Sequence, residues 1–325
     1  MFKNKKVLVA GGTGMVGIQL IKKLNKLGAK VFVTSLDKVN SKELNIVKFY
    51  RLDLVEVQNC LKVTKGMDIV FNLLGVTGSP DTNIKNPGSF MMSNLYCAVN
   101  LLYAAQKNKV KKYLYTSTYG VYGPAEILKE ENVWKTFPSE HDKYAGWAKR
   151  MGELQIEAYK KEYEFEGLYI VRPANIYGPN MNFNPKNSMV VASLIRKMFM
   201  SKNNKIEVWG DGNNIRDFVY SKDVAESMIQ VIKNNIQIPI NLGSGKGISI
   251  RKLINIIRKS KFLKIKPDII YQSNKPSGDK KRVLDTRLAK KYKIKLNTPL
   301  KKGIDETIKW YLKNIEDLEK RHSFF

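Results

Sequence analysis

The stretch that most constrains this chain is Lys6-Val-Leu-Val-Ala-Gly-Gly-Thr-Gly-Met-Val-Gly17, an apolar run that enters a glycine cluster and opens an amphipathic helix. Gly11, Gly14 and Gly17 stand at intervals of three. In that spacing the first glycine allows a tight turn, the second lets a pyrophosphate approach the backbone, and the third lets the helix lie against the strand. Val16, Leu20, Leu24 and Leu27 fall on one helical face, and Gly28 is placed to end the helix. The helix N-terminus then offers N–H groups and the positive end of its dipole to phosphate. Strand, glycine turn and helix in this order predict a dinucleotide site, with Thr13, Met15 and Val16 in the same turn.

Apolar runs at 6–10, 30–34, 46–50, 68–74, 112–116 and 168–172 alternate with helical patterns. That rhythm predicts βαβ units, a doubly wound parallel sheet and right-handed crossovers, an α/β Rossmann architecture. The pattern changes after Pro173. Asn, Pro and Gly cluster over 174–188, followed by a helix near 189–200, short strands near 206–209 and 238–242, and helices near 250–259 and 304–318. The expected division is a dinucleotide-binding domain over 1–175 and a smaller substrate-binding lobe over 176–325, with 211–242 returning to the first domain. Such a lobe would close over the carboxyl ends of the strands, where open α/β sheets bind ligands.

No run reaches the roughly 20 apolar residues of a membrane span, and no signal peptide is expected because the first apolar run is already a strand. Cys60 and Cys97 are isolated, without disulfide or metal spacing, which points to a reducing cytoplasm. His141 and His322 leave little room for a histidine metal site. The net charge of +28 raises nucleic acid or an acidic membrane surface as partners. Its lysines are scattered along the chain and no RNA-binding aromatic signature accompanies them, so no nucleic-acid partner is expected.

Two further segments carry chemistry. Tyr115-Thr-Ser-Thr-Tyr-Gly-Val-Tyr-Gly123 follows the fifth strand and places hydroxyls in the ligand crevice. Tyr144-Ala-Gly-Trp-Ala-Lys149-Arg-Met-Gly-Glu153 opens a helix with Trp147, Met151, Leu154 and Ala158 on its buried face. A lysine beside a tyrosine lowers the phenol's pKa by placing positive charge against the phenolate.

With these residues in hand the chain resembles the extended short-chain dehydrogenase/reductase family of nucleotide-sugar epimerases, dehydratases and reductases. The resemblance spans nearly the whole length. It includes Asp53-Leu54, Asn72, Asn94, Arg172-Pro-Ala-Asn-Ile-Tyr-Gly-Pro179, Trp209-Gly-Asp-Gly212, Arg216-Asp-Phe-Val-Tyr220 and Asn241-Leu-Gly-Ser-Gly245. Within the family the stretch from Asn175 to Ser188 and Gly278-Asp-Lys-Lys-Arg-Val-Leu-Asp285 are most similar to the GDP-L-fucose synthase branch. The resemblance implies Thr118, Tyr144 and Lys149 as catalytic residues, Lys149 also holding the nicotinamide ribose. It implies Asp53, Leu54, Leu74 and Asn94 at the cofactor, and Asn175, Arg216 and Arg282 on the nucleotide diphosphate. It further implies a homodimer or dimer of dimers.

Departures from the family pattern narrow the reaction. The dehydratase branch has Asp and Glu directly after the catalytic threonine, whereas Tyr119 and Gly120 stand here. The fucose synthase branch uses a cysteine and a histidine for epimerisation, and Gly120 and Met189 occupy those positions. Elimination and 3,5-epimerisation are therefore not expected. What remains is hydride transfer at one carbon, C4, of a GDP-linked sugar of the mannose or heptose type, in bacterial surface polysaccharide synthesis. The alternatives are a 4-epimerase, a fucose-synthase-like reductase, or a non-catalytic dinucleotide-binding scaffold with a basic surface. The tyrosine is displaced: Tyr144 sits five before Lys149 and Ala145 occupies the family's position. Five residues put two side chains about 140° apart on a helix, against about 40° for four. Tyr144 enters the site only if it precedes the first regular turn or a π-bulge absorbs one residue.

An acidic residue ends the second strand in NAD-preferring relatives. That register falls on Ser35, with Asp37 two residues on and Lys38 beside it. Asp37 can accept hydrogen bonds from ribose hydroxyls and repel a 2′-phosphate, which favours NAD over NADP. Asp37→Ala is expected to weaken NAD by roughly 1.5–3 kcal/mol, the range of a charge-assisted hydrogen bond. Fluorescence titration with both cofactors checks this, and tenfold tighter NADP binding by the unmodified protein would overturn it.

Overall fold

The computed structural model describes residues 1–37, 43–76, 85–201, 203–275 and 278–320, so Lys38 and His322 lie outside the described residues. The first half alternates as expected: β1 (Lys6–Ala10), α1 (Met15–Lys26), β2 (Lys30–Thr34), β3 (Lys48–Tyr50), α2 (Val57–Thr64), β4 (Ile69–Asn72), α3 (Pro87–Lys107), β5 (Lys112–Thr116), α4 (Lys143–Tyr163) and β6 (Leu168–Pro173). The chain continues through β7 (Asn175–Tyr177), α5 (Val190–Met200), β8 (Lys205–Trp209), β9 (Ile215–Tyr220), α6 (Ser221–Lys233) and β10 (Ile240–Leu242). It ends with β11 (Gly247–Ser249), α7 (Ile250–Arg258), β12 (Asp268–Gln272), β13 (Lys281–Arg282), α8 (Arg287–Lys291) and α9 (Leu300–Lys313). The last of these starts at Leu300, directly after Pro299, earlier than the apolar pattern from 304 indicates. Proline fixes the backbone angle that leads into a helix and has no N–H to lose there.

Seven parallel strands form one sheet in the order β10-β6-β5-β4-β1-β2-β3. This is the α/β doubly wound Rossmann fold. Alternation along β1 explains its layers: Val7 and Val9 join one core with Leu20, Ile21 and Leu24 of α1 and Met228 and Ile232 of α6. Leu8 and Ala10 join the other, with Val63 of α2 and Leu101, Ala104 and Ala105 of α3. A strand covered on both faces needs apolar residues at every position, and β1 supplies them. The order reverses between β1 and β4, so a crevice opens at their carboxyl ends.

A second layer of short strands stands beyond that crevice. β9 stands between β11, antiparallel, and β13, parallel, over its first residues and pairs parallel with β7 over Phe218–Tyr220. Its separate core gathers Tyr177, Phe183, Ile195, Phe218, Leu253, Ile257, Ile304 and Tyr311. β10 lies beside β6 in the main sheet, through Asn241↔Arg172.

One buried polar network ties these parts together. Arg172 of β6 forms two hydrogen bonds to Glu153 of α4, Nε to Oε1 at 2.9 Å and Nη2 to Oε2 at 2.6 Å, with side chains 1% and 2% exposed. Arg172 Nη1 donates to the Tyr122 hydroxyl at 3.0 Å, which donates to Asn241 Oδ1 at 2.7 Å. Asn241 Nδ2 donates to the carbonyls of Leu128 and Asp285. Removing one partner of a buried pair leaves an uncompensated charge, at about 3–5 kcal/mol. Glu153→Gln should therefore lower stability by about 3 kcal/mol, read as a lower urea midpoint at unchanged slope. An unchanged midpoint would show that this pair does not fasten α4.

Candidate active site

The glycine turn is built as its spacing requires. Gly11 has φ +79°, the left-handed region that glycine enters without a side-chain clash, and an added Cβ would lie 3.2 Å from the Leu73 carbonyl oxygen. At Gly17 an added Cβ would stand 2.6 Å from both Cα and O of Gly12, so only glycine allows α1 so close to the turn. Gly14 is the N-cap of α1 and supplies no side-chain cap to its first N–H groups. Uncapped N–H groups at a helix start are the donors a phosphate needs. Met15 and Val16 begin the helix, and Val16 is buried in the core. Thr13 is buried, its hydroxyl 2.6 Å from that of Ser35 at the end of β2. The Asp37 backbone N–H donates to the same Ser35 oxygen at 3.3 Å, which sets Asp37 beside the glycine turn.

Asp53 caps the turn after β3 by accepting from the Val55 N–H, while Leu54 packs into the α2–α3 core. Asn72 accepts from the Leu74 N–H at 3.0 Å. Asn94 of α3 accepts from the Val76 N–H and donates to the carbonyls of Val76 and Phe90. Together they hold Leu73 to Val76 across the end of β4. These side chains shape the wall of the crevice through the backbone.

Lys149 is buried in the crevice. Its Nζ donates to the carbonyls of Leu74 at 2.8 Å and Thr116 at 3.0 Å, joining the ends of β4 and β5. Burial pushes this ammonium down to about 8, opposed by nearby Cys97 and Glu153. Burial also pushes the Cys97 thiol up to about 11 and that of Cys60 to about 12, so neither is a thiolate nucleophile at neutral pH. Thr118 caps the short 3₁₀ turn 119–121 by accepting from the Gly120 N–H at 3.1 Å.

The structure does not bring Tyr144 to this group. Helix α4 is regularly α-helical from Lys143 onward, so neither an irregular start nor a π-bulge absorbs the extra residue. Tyr144 is accordingly 42% exposed, while Lys149 five residues on is buried. Ala145, which occupies the family's tyrosine position, has no hydroxyl.

The residues expected at the substrate assemble on β9 and its neighbours. Arg216 and Arg282 are register partners on β9 and β13, so their side chains lie side by side. Arg216 Nη1 donates to the carbonyls of Ile215 and Asp279. Arg282 does not project into the cleft as a diphosphate ligand does. It is 2% exposed, and Nη1 donates to Asp142 at 2.6 Å and to Ser139 at 3.1 Å, with Asp279 Oδ2 at 3.2 Å. Its Nη2 donates to the carbonyl of Tyr119 at 2.8 Å. Asn175 is similarly engaged: Oδ1 accepts from the Tyr119 hydroxyl at 2.8 Å and Nδ2 donates to the Asp217 carbonyl. Met189 is the N-cap of α5 and has no titratable group.

Three residues of this cluster escape a reading of the sequence. Asp142, Asp279 and His141 converge on Arg282, with His141 Nε2 3.6 Å from Asp279 Oδ2. Only the spacing of Asp279 three before Arg282 was visible beforehand. Among the described residues no His, Cys, Asp or Glu group has the arrangement of a metal site, and no helix is long and apolar enough to cross a membrane.

Residues 7–243 match the model of the NAD dependent epimerase/dehydratase family. A probable GDP-L-fucose synthase of Oryza sativa subsp. japonica is 27% identical over 98% of this chain and 95% of its own length. A GDP-6-OMe-4-keto-L-xylo-heptose reductase from C. jejuni superposes with a TM-score of 0.84 over 97% of this chain and 99% of its own, at 22% identity. A GDP-L-fucose synthetase from Naegleria fowleri bound to NADP superposes at 0.81 over 98% and 95%, at 23% identity. With the glycine turn, the buried lysine and three quarters of its length matched, the chain belongs to the NAD dependent epimerase/dehydratase family and is an enzyme of that NAD(P)-dependent type.

Proposed function

We propose that this protein oxidises or reduces C4 of a nucleotide-diphosphate sugar, with GDP as the nucleotide and a mannose- or heptose-type sugar. One observation carries the reading: Lys149 Nζ bridges Leu74 and Thr116 while Thr118 stands two residues beyond Thr116, at the open end of β5. When bound, the nicotinamide supplies hydride transfer. Gly11, Gly14 and Gly17 would hold its pyrophosphate, Asp37 its adenosine ribose and Lys149 its nicotinamide ribose, which supports NAD. The 4-epimer results if the ketone turns before hydride returns. Synthesis of bacterial surface polysaccharide, in the cytoplasm, is the setting proposed with it. Exposed Tyr96 and Tyr103 on α3 and Tyr163 and Leu154 on α4, the last exposed although its spacing predicts the buried face, support a homodimer through these paired helices.

Each residue has a distinct task. Lys149 sets the charge of the crevice, and because burial holds it near 8 it loses that charge as pH rises through this value. Thr118 orients the C4 hydroxyl and passes its proton to solvent, since the Tyr144 side chain lies exposed. The carbons flanking C4 meet Gly120 and Met189, which transfer no protons.

Turnover of GDP-mannose in deuterated water tests the reaction. The product should carry no deuterium at C3 or C5 by mass spectrometry and NMR, and rapid uptake at either carbon would return the reaction to the 3,5-epimerase class. Absence of any turnover with GDP-mannose and GDP-heptose would defeat the reading.

The proton route is tested by two variants. Thr118→Val should lower kcat by roughly 10²–10⁴-fold, the contribution of positioned proton transfer. Tyr144→Phe should change it less than about threefold, because a phenol at the start of a regular helix points away from Lys149. The reverse order would show that the start of α4 rearranges when substrate binds.

A further inference from the structure

We propose that Asp142 binds a hydroxyl of the substrate's sugar ring, acting with Thr118 across a notch floored by Gly120. The inference rests on the reading that this cleft takes a nucleotide-linked sugar, and it names the carboxylate that distinguishes the sugar.

The notch is defined by what a side chain at residue 120 would meet. An added Cβ there would lie 3.3 Å from Thr118 Cγ2 and 3.5 Å from both Cγ and Oδ2 of Asp142. Thr118 and Asp142 thus flank one space above the Gly120 Cα. They come from different segments: Thr118 follows β5, and Asp142 ends the short turn 140–142 that leads into α4. That space adjoins the carboxyl end of β5, where Lys149 reaches the Thr116 carbonyl.

The hydrogen-bonding capacities are complementary to a sugar hydroxyl. Thr118 Oγ1 accepts from the Gly120 N–H, which leaves its hydroxyl hydrogen to donate. Asp142 Oδ2, the oxygen nearest residue 120, takes one hydrogen bond from Arg282 Nη1 and lies 4.0 Å from His141 Nε2; with the side chain 24% exposed, its remaining lone pair can accept from a ring hydroxyl. A ring hydroxyl both donates and accepts, so it satisfies the pair. A sugar lacking that hydroxyl would leave the carboxylate facing an apolar carbon, and sites built to bond a hydroxyl reject such analogues.

Arg282 then has a role that fits its burial. Held by Ser139, Asp279 and the Tyr119 carbonyl, it fixes where Asp142 points. It is a positioning residue that serves the substrate through Asp142.

Calorimetric titration of the full-length, NAD-loaded protein with GDP and with GDP-mannose isolates the sugar's share as the ratio of the two Kd values. Asp142→Asn keeps the shape and should weaken GDP-mannose by about 10-fold or more, in line with loss of a hydrogen bond to a charged group, while leaving GDP unchanged. Gly120→Ala keeps the Arg282–Asp142 pair, narrows the notch and should give the same pattern, so the proposal is tested even if Asp142→Asn folds poorly. Wild-type affinity for GDP-mannose in both variants would overturn the assignment. Equal losses of GDP and GDP-mannose would also overturn it, because Asp142 would then act only by holding Arg282. If the wild type binds neither ligand, the nucleotide-sugar reading fails and takes this assignment with it. If it binds GDP-mannose tightly and the variants match it, only this assignment fails.

Discussion

The buried pair between Glu153 and Arg172 is the interaction on which the remaining geometry depends. Glu153 lies one turn beyond Lys149 on α4, so whatever fixes Glu153 also fixes the lysine. Two charges taken from water are costly unless the partner geometry satisfies both. Here the guanidinium has two bonds to the carboxylate, one to Tyr122 and one to the Glu130 carbonyl at 3.1 Å. The pair therefore clamps helix to sheet and draws in the segment after β5 that carries Thr118. Through Tyr122 and Asn241 the same network reaches β10 and the loops at 128 and 285. Helix α4, the sheet and the loops at 128 and 285 are joined by a continuous chain of satisfied polar groups.

A second anchor organises the layer around β9. Asp217 is buried, and its carboxylate accepts from the Ser244 and Gly245 N–H groups and from the Ser244 hydroxyl, which ties β9 to the loop after β10. Burial raises this carboxyl, and the surrounding donors oppose the rise. With β9 fixed, Arg216 and Arg282 share one register, and two cations lie side by side. Asp142 and Asp279 compensate that charge locally. The excess of basic residues over the whole chain is a separate matter, carried by scattered lysines and screened over about 10 Å at ordinary ionic strength. Local pairing, and not net charge, governs the cleft.

The site is as informative in what it omits. Residues 120, 145 and 189 are Gly, Ala and Met, where acid, base or nucleophile would otherwise stand. The crevice keeps a buried cation and a threonine hydroxyl. A carboxylate on a neighbouring turn, Asp142, lies 3.5 Å from where a Cβ at residue 120 would stand.

Much of the fold was legible in the residues. Glycines at 11, 14 and 17 determined a dinucleotide turn, since a Cβ at Gly17 collides with Gly12 in any chain that packs this way. Alternating apolar runs determined the parallel sheet, because strands covered on both faces must be apolar throughout. Local rules of this kind act over a few residues, which the sequence displays directly. The roles of Arg172, Asn241 and Arg282 were not legible. All three stand in motifs that carry the family resemblance, and each is engaged within the protein, Arg282 included although the resemblance implies it on the nucleotide diphosphate. Arg282 meets Asp142 across 140 residues of sequence and Asn241 meets Tyr122 across 119, distances at which no spacing rule operates. Tyr144 shows the same division: the sequence determined that it stands five residues from Lys149, and only the folded helix, regular from its first turn, decided that this offset remains. Periodicity determines which residues face a core, but which polar groups satisfy one another is decided only when tertiary structure brings distant segments within hydrogen-bonding reach.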